Sequence, residues 1–338
     1  MKKIIRLILI TTSILLLLIT LGFIGVHYYG NKLIEQAGRI ESWEDSDGLI
    51  LSDISYGPRS LNIYDLYLPN DSFMHDNVGP DTVGLMLYIH GGSWSSGDKE
   101  EGNWFCRRFT KAGYVTATMN YSLINYQEST VSIPTMLKEI SYCISSIRSK
   151  ASEHGIVIHK MGIAGYSAGA HLAMLYSNKM HENAPIPIAF NISLAGPTDL
   201  SIIFKVPSDT IDAVKLSLNN GNVHPQKSEI DALTFFCSGQ NDLKIDNYTS
   251  THIDSIIQHA SPIYWINKDS KPTIFAYGEK DQLVKPLHYQ QAIQLYDSLE
   301  IKYQLISYPN SGHLLAKDPD CSTRLSQNIK EFANNYLK

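Results

Sequence analysis

Cysteine is scarce and never paired. Cys106, Cys143, Cys237 and Cys321 are the only four in 338 residues. None stands in a C-x-x-C spacing, so a zinc ribbon or dithiol redox motif has no ligands to work with. They are expected to be mostly free and buried, with disulfides as the open alternative. There is no H-E-x-x-H pair, so no catalytic metal is expected, and nothing calls for a cofactor. A long basic run is also missing. The formal net charge is −5. Lys2, Lys3 and Arg6, with no acid in residues 1–30, leave −8 for the rest. Nucleic-acid partners are excluded on that ground, because phosphate binding needs clustered positive charge. There is no internal repeat and no low-complexity tract. What is present is ordinary: 43% hydrophobic and 18% charged residues, enough chain for one large α/β domain or two small ones.

One long apolar run does occur, from Ile4 to Val26. At about 1.5 Å per residue it reaches across a hydrocarbon core of roughly 30 Å. His27-Tyr28-Tyr29 follows as an interfacial anchor. The basic N-terminus should stay in the cytoplasm, so the expectation is a single-pass membrane helix over residues 1–30 with the remainder extracytoplasmic. A cleaved signal and a secreted product form the alternative, although the apolar core is long for a signal and bulky residues follow it. Residues 31–48 are polar and mixed and read as a stalk.

Beyond residue 48, strand and helix patterns alternate. Residues 61–68 alternate with period two, and 83–89 form a continuous apolar run suited to a strand buried on both faces. Ile133, Leu137, Ile140, Ile144 and Ile147 recur at helical spacing. Strands are expected at 160–165, 186–194, 272–277 and 303–308, and helices at 168–180, 286–299 and 322–337. This order predicts an α/β fold with a mainly parallel sheet, helices on both faces, and ligands at the carboxyl ends of the strands. Residues 201–262 break the rhythm. They contain a helical piece near Thr210–Leu218 and are too long for a plain loop, so a cap-like insertion over the site is expected.

Four stretches carry chemistry. Gly165-Tyr166-Ser167-Ala168-Gly169 is a G-x-S-x-G between an expected strand and helix, the context in which a serine is exposed as a nucleophile. His90-Gly91-Gly92-Ser93-Trp94 follows the strand at 83–89. Its glycines let the backbone approach a developing oxyanion and offer N–H donors to it, with the N–H of Ala168 as a further donor. Asp281, in Tyr277-Gly278-Glu279-Lys280-Asp281, sits where an acid would orient a histidine, and His313, in Ser311-Gly312-His313, sits where it could reach the serine. The order is Ser…Asp…His. Asp199 and Asp242 remain alternative acids. His171, one turn beyond Ser167, is expected to pack beneath the turn, and His90 to shape the glycine loop. Trp94 and Tyr166 are candidate pocket residues.

Together "HGGSW" (90–94), "GYSAGAHLA" (165–173), "GPTDL" (196–200), "ASPIYW" (260–265), "YGEKDQLV" (277–284) and "YPNSGH" (308–313) resemble the α/β-hydrolase superfamily. The branch they are most similar to is that of the carboxylesterases, which includes hormone-sensitive-lipase-like and feruloyl- or acetyl-esterase-like enzymes. Asn120-Tyr121-Ser122-Leu123 departs from the Asp-Tyr-Arg-Leu of hormone-sensitive-lipase-like members. The resemblance implies a serine esterase with Ser167, Asp281 and His313 as its triad. The oxyanion donors would be Gly91, Gly92 and Ala168. The substrate would be a small-molecule or polymer-linked ester, specifically a short-chain or carbohydrate-linked acyl ester. A peptidase or amidase on the same triad, or a non-catalytic module on the same fold, is the alternative. Oligomeric state is not legible in the sequence.

Overall fold

The computed structural model describes residues 38–70, 82–124, 130–241 and 243–337. The expected membrane helix and the first half of the stalk therefore lie outside the described residues, as does Asp242. Among the described residues no helix is long and apolar enough to cross a membrane.

Eight strands make one sheet: β1 (Gly48–Ser55), β2 (Ile63–Pro69), β3 (Thr82–Ile89), β4 (Val115–Met119), β5 (Val157–Tyr166), β6 (Ile188–Leu194), β7 (Thr273–Gly278) and β8 (Tyr303–Tyr308). Their spatial order is β1-β2-β4-β3-β5-β6-β7-β8. β2 runs antiparallel to both β1 and β4, and every other pairing is parallel. This is the α/β-hydrolase arrangement anticipated above.

The helices between the strands are α1 (Asn103–Thr110), α2 (Ile133–Glu153), α3 (Ala168–Lys179), α4 (Ser208–Asn219), α5 (Lys227–Ser238), α6 (Ser250–His259), α7 (Leu287–Ser298) and α8 (Pro319–Tyr336). They cover the sheet on two sides. The strand period of two divides β3 between the layers: Leu85, Leu87 and Ile89 pack with α2 and α3, while Met86 and Tyr88 pack with α1 and α8. Both faces are thus covered, which is why β3 reads as an unbroken apolar run.

Residues 201–262 hold helices α4, α5 and α6. Ile211, Val214, Ile230, Phe236, Ile253 and Ile257 extend the core on the α2–α3 side. The two ends of the insertion are tied together: Leu200 N–H donates to Ser261 Oγ at 2.8 Å, and Ile263 N–H to the Thr198 carbonyl at 3.0 Å.

Residues 38–47, the second half of the stretch read as a stalk, lie against α1. Arg108 donates from Nε to Glu41 Oε2 at 3.0 Å and from Nη2 to the Gly38 carbonyl at 2.8 Å. Arg107 Nη1 donates to the Glu41 carbonyl at 3.1 Å. Trp43 meets Tyr67 edge to face at 5.8 Å between ring centroids.

Candidate active site

The turn between β5 and α3 is sharp because two positions admit no side chain. A Cβ on Gly165 would collide with the backbone of Gly169 and Ala170, and a Cβ on Gly169 with the carbonyls of Ile89 and His90. Between these glycines Ser167 takes φ 52° and ψ −119°, a conformation costly for a residue with a Cβ. Its N–H donates to the Leu194 carbonyl at 2.8 Å, which ties the strained residue to β6. Its hydroxyl stands at the carboxyl end of the sheet.

Loops after β7 and β8 bring the partners. His313 Nε2 lies 2.8 Å from Ser167 Oγ, and His313 Nδ1 lies 2.7 Å from Asp281 Oδ2. Asp281 is 1% exposed, and its Oδ1 accepts the N–H groups of Leu283 and Val284 at 2.8 and 2.9 Å. A carboxylate that accepts on both oxygens directs the imidazole proton to Nδ1 and leaves Nε2 to accept the serine hydroxyl. Asp199 is engaged elsewhere: Oδ1 accepts the N–H and hydroxyl of Ser201 at 2.9 and 2.7 Å.

The glycine loop presses against this turn. A Cβ on Gly91 would fall 3.0 Å from the Tyr166 carbonyl and 3.3 Å from Ser167 Cβ. Gly92, Ser93 and Trp94 then run with φ of 99°, 53° and 60°. Three left-handed residues in succession are strained at Ser93 and Trp94. The Gly92 carbonyl accepts from the N–H groups of Ser95 and Ser96, both at 3.0 Å. Ala168, as first residue of α3, has an N–H with no carbonyl partner inside the helix.

Trp94 anchors the strained loop. It is 6% exposed and packs on Phe204 and Phe236, so the insertion reaches the glycine loop through this indole. Trp94 Nε1 donates to His171 Nδ1 at 3.3 Å, and His171 Nε2 donates to the Ala260 carbonyl at 2.8 Å. Both ring nitrogens are used, so His171 joins the loop, the helix behind the serine and the end of the insertion. Burial lowers its pKa to about 4, which keeps the ring neutral. His90 stacks on Tyr121 at 4.4 Å between centroids, and the Tyr121 hydroxyl donates to the Gly91 carbonyl at 3.1 Å. Burial lowers the His90 pKa also.

On the other side of the serine, the Tyr166 hydroxyl donates to the His313 carbonyl at 2.7 Å. Arg39, which no sequence motif marks, lies with Cζ 4.3 Å from the Tyr166 ring centroid. A cavity of about 490 Å³ opens here, lined among others by Arg39, Glu101, Asn103, Trp104, Tyr166 and Leu314. The four cysteines are unbonded; Cys106, Cys143 and Cys237 are buried and Cys321 is half-buried. Among the described residues no group of three or more His, Cys, Asp or Glu side chains is arranged to hold a metal ion.

The family model described as BD-FAE matches residues 65–299. A probable isoprenylcysteine alpha-carbonyl methylesterase of Arabidopsis thaliana is 31% identical over 120 residues, 36% of this chain and 23% of that protein. A kynurenine formamidase of Danio rerio is 29% identical over 125 residues, 37% of this chain and 38% of that protein. These alignments span well under half the length of either relative. Among solved structures, a truncated carbohydrate esterase from gut microbiota superimposes with a TM-score of 0.62 at 16% identity, covering 88% of this chain and 99% of that one. At that identity the likeness is one of fold.

Proposed function

The chain belongs to the BD-FAE family, and from that premise we propose that it is a serine carboxylesterase acting on short-chain or carbohydrate-linked acyl esters. The observation that carries the reading is the continuous hydrogen-bonded relay from Ser167 Oγ through His313 to buried Asp281. His313 Nε2 takes the serine proton as Oγ attacks the ester carbonyl, and Asp281 stabilises the imidazolium that forms. The N–H groups of Gly91, Gly92 and Ala168 receive the oxyanion, a role supported by the contact of Gly91 with the Ser167 turn. His313 then protonates the leaving alcohol, and water, deprotonated by the same imidazole, clears the acyl-enzyme.

The formamidase relative favours a second reading, in which the same triad cleaves a small amide. Hydrolysis of p-nitrophenyl acetate, butyrate and octanoate, beside an N-formyl anilide, tests both. The esterase reading expects turnover of the short esters that falls by at least about 10³-fold in Ser167→Ala. Turnover of the anilide alone would replace it with the amidase reading. Turnover unchanged in the mutant would refute both.

Residues 1–30 are read as a membrane anchor holding the enzyme on the extracytoplasmic side, on the length of the Ile4–Val26 run and the charges before it. Protease added to intact cells should then remove the catalytic domain. A mature N-terminus near residue 30 would mean a secreted enzyme instead.

A further inference from the structure

We infer that the segment 39–41 is a wall of the substrate site, and that Arg39 within it selects esters whose alcohol portion carries free hydroxyl groups. The inference rests on the esterase reading above and adds to it which side of the site holds the alcohol and what reads it.

Position comes first. In acyl transfer the histidine hands its proton to the leaving oxygen, so the alcohol departs on the histidine's side of the serine. The 490 Å³ cavity adjoins that side through sequence neighbours of the pair, Ser167 and His313 themselves not lining it. Tyr166 and Leu314, which immediately precede Ser167 and follow His313, both line it, and the Tyr166 hydroxyl holds the His313 carbonyl at 2.7 Å. Its volume suits a small ligand group. The opposite side, where Trp94, Phe204 and Phe236 meet, is aromatic and tightly packed.

The wall is clamped in place. Glu41 anchors it through Arg108 at 3.0 Å and Lys111 at 3.4 Å, and the carbonyls of Gly38 and Glu41 accept from Arg108 and Arg107. The clamp on both flanks fixes Arg39 and Ile40, which line the cavity. Glu41 and Arg107 also line it; Glu41 is held in this clamp, while Arg107 gives the clamp its Nη1 and keeps a buried Nε without a protein partner.

Chemistry completes the case. Arg39 forms no ion pair among the described residues; its guanidinium rests on the Tyr166 ring. Glu101 lines the same cavity and carries a carboxylate whose Oε1 accepts the Asp98 N–H at 3.4 Å. A donor-only guanidinium and an accepting carboxylate on one cavity, flanked by the Trp104 and Tyr166 rings, match a group that both accepts and donates hydrogen bonds. A hydroxylated alcohol does so. A carboxylate or phosphate would satisfy Arg39 but meet Glu101 and Glu100 with like charge.

The test uses the full chain with two butyrate esters of similar size, glycerol monobutyrate and butyl butyrate. Wild type is compared with Arg39→Ala and Arg39→Lys. The ratio of kcat/KM for the glycerol ester over the butyl ester should fall about tenfold in Arg39→Ala, mainly through KM, as expected for one lost charge-assisted hydrogen bond. Lysine, which keeps the charge, should restore part of the ratio. An unchanged ratio overturns the inference, whether both rates stay or fall together, since a merely structural arginine would lower both alike. If wild type hydrolyses neither ester, the esterase reading itself fails, and the inference with it.

Discussion

The two walls around Ser167 are made of opposite materials. On the His313 side lie Arg39, Glu101, Asn103 and an open cavity. On the glycine-loop side lie Trp94, Phe204, Phe236 and the neutral His171, closely packed. The polar wall recruits residues from before the first strand; the aromatic wall recruits them from the insertion. The difference separates two tasks. The polar wall faces the departing alcohol of the proposed reaction, whereas the aromatic wall packs against the strained backbone that carries the proposed oxyanion donors. Changes to one wall should therefore alter selectivity, and changes to the other should alter turnover of every substrate.

Trp94→Ala should be the more damaging way to break that division. Without the indole, the left-handed turn at Ser93 and Trp94 loses its packing on His171, Phe204 and Phe236, and the proposed donors at Gly91 and Gly92 lose their aim. A lost oxyanion contact costs about 10²-fold or more in kcat. The expected result is a drop of about that size on all p-nitrophenyl esters alike, read by steady-state kinetics. A loss confined to long acyl chains would instead make Trp94 a pocket residue.

A smaller effect sharpens the same contrast through pH. His171 has a folded pKa of about 4 against an ordinary value of 6.5. Between these values the unfolded chain binds a proton that the folded one refuses, so stability rises with pH from about 4 to 6.5 and is lost as pH falls through that window. Burial gives His288 the same lowered value of about 4. Each contributes at most about 3 kcal/mol across the window. Urea unfolding should therefore show a midpoint that climbs from pH 4.5 to 6.5, with a shallower climb in His171→Gln. An equal climb in the mutant would show that His171 does not carry this term.

Much of this architecture was legible because local sequence and tertiary demand coincide. β3 is apolar throughout since both of its faces are covered. The glycines at 165 and 169 mark positions where strand and helix leave no room for a Cβ. The order of Ser167, Asp281 and His313 along the chain foretold the placement of their side chains within hydrogen-bonding reach. Less was visible at the edges. β1 is a half-exposed edge strand whose register breaks between Leu51 and Ile54, so its period is blurred. β4 is five residues long and carries two threonines inside the core, which hides it from a hydrophobicity pattern. Arg39 carries no sequence signal because its significance lies wholly in a contact made 127 positions further along the chain, at Tyr166. The segment around it is polar and reads as a spacer. Trp94 reads from sequence as a pocket candidate; its burial against His171 depends on Phe204 and Phe236, which come from the insertion.

The most direct test of the central claim, that His313 and Asp281 activate Ser167 for nucleophilic attack, is labelling of the full chain with a fluorophosphonate, followed by mass mapping and a rate measurement. One adduct, on Ser167, should form in wild type and be absent in Ser167→Ala. In Asp281→Asn, where the imidazole loses its orienting acceptor, labelling should be slower by roughly 10³-fold or more. An adduct on another serine, or equal labelling rates in wild type and Asp281→Asn, would contradict it.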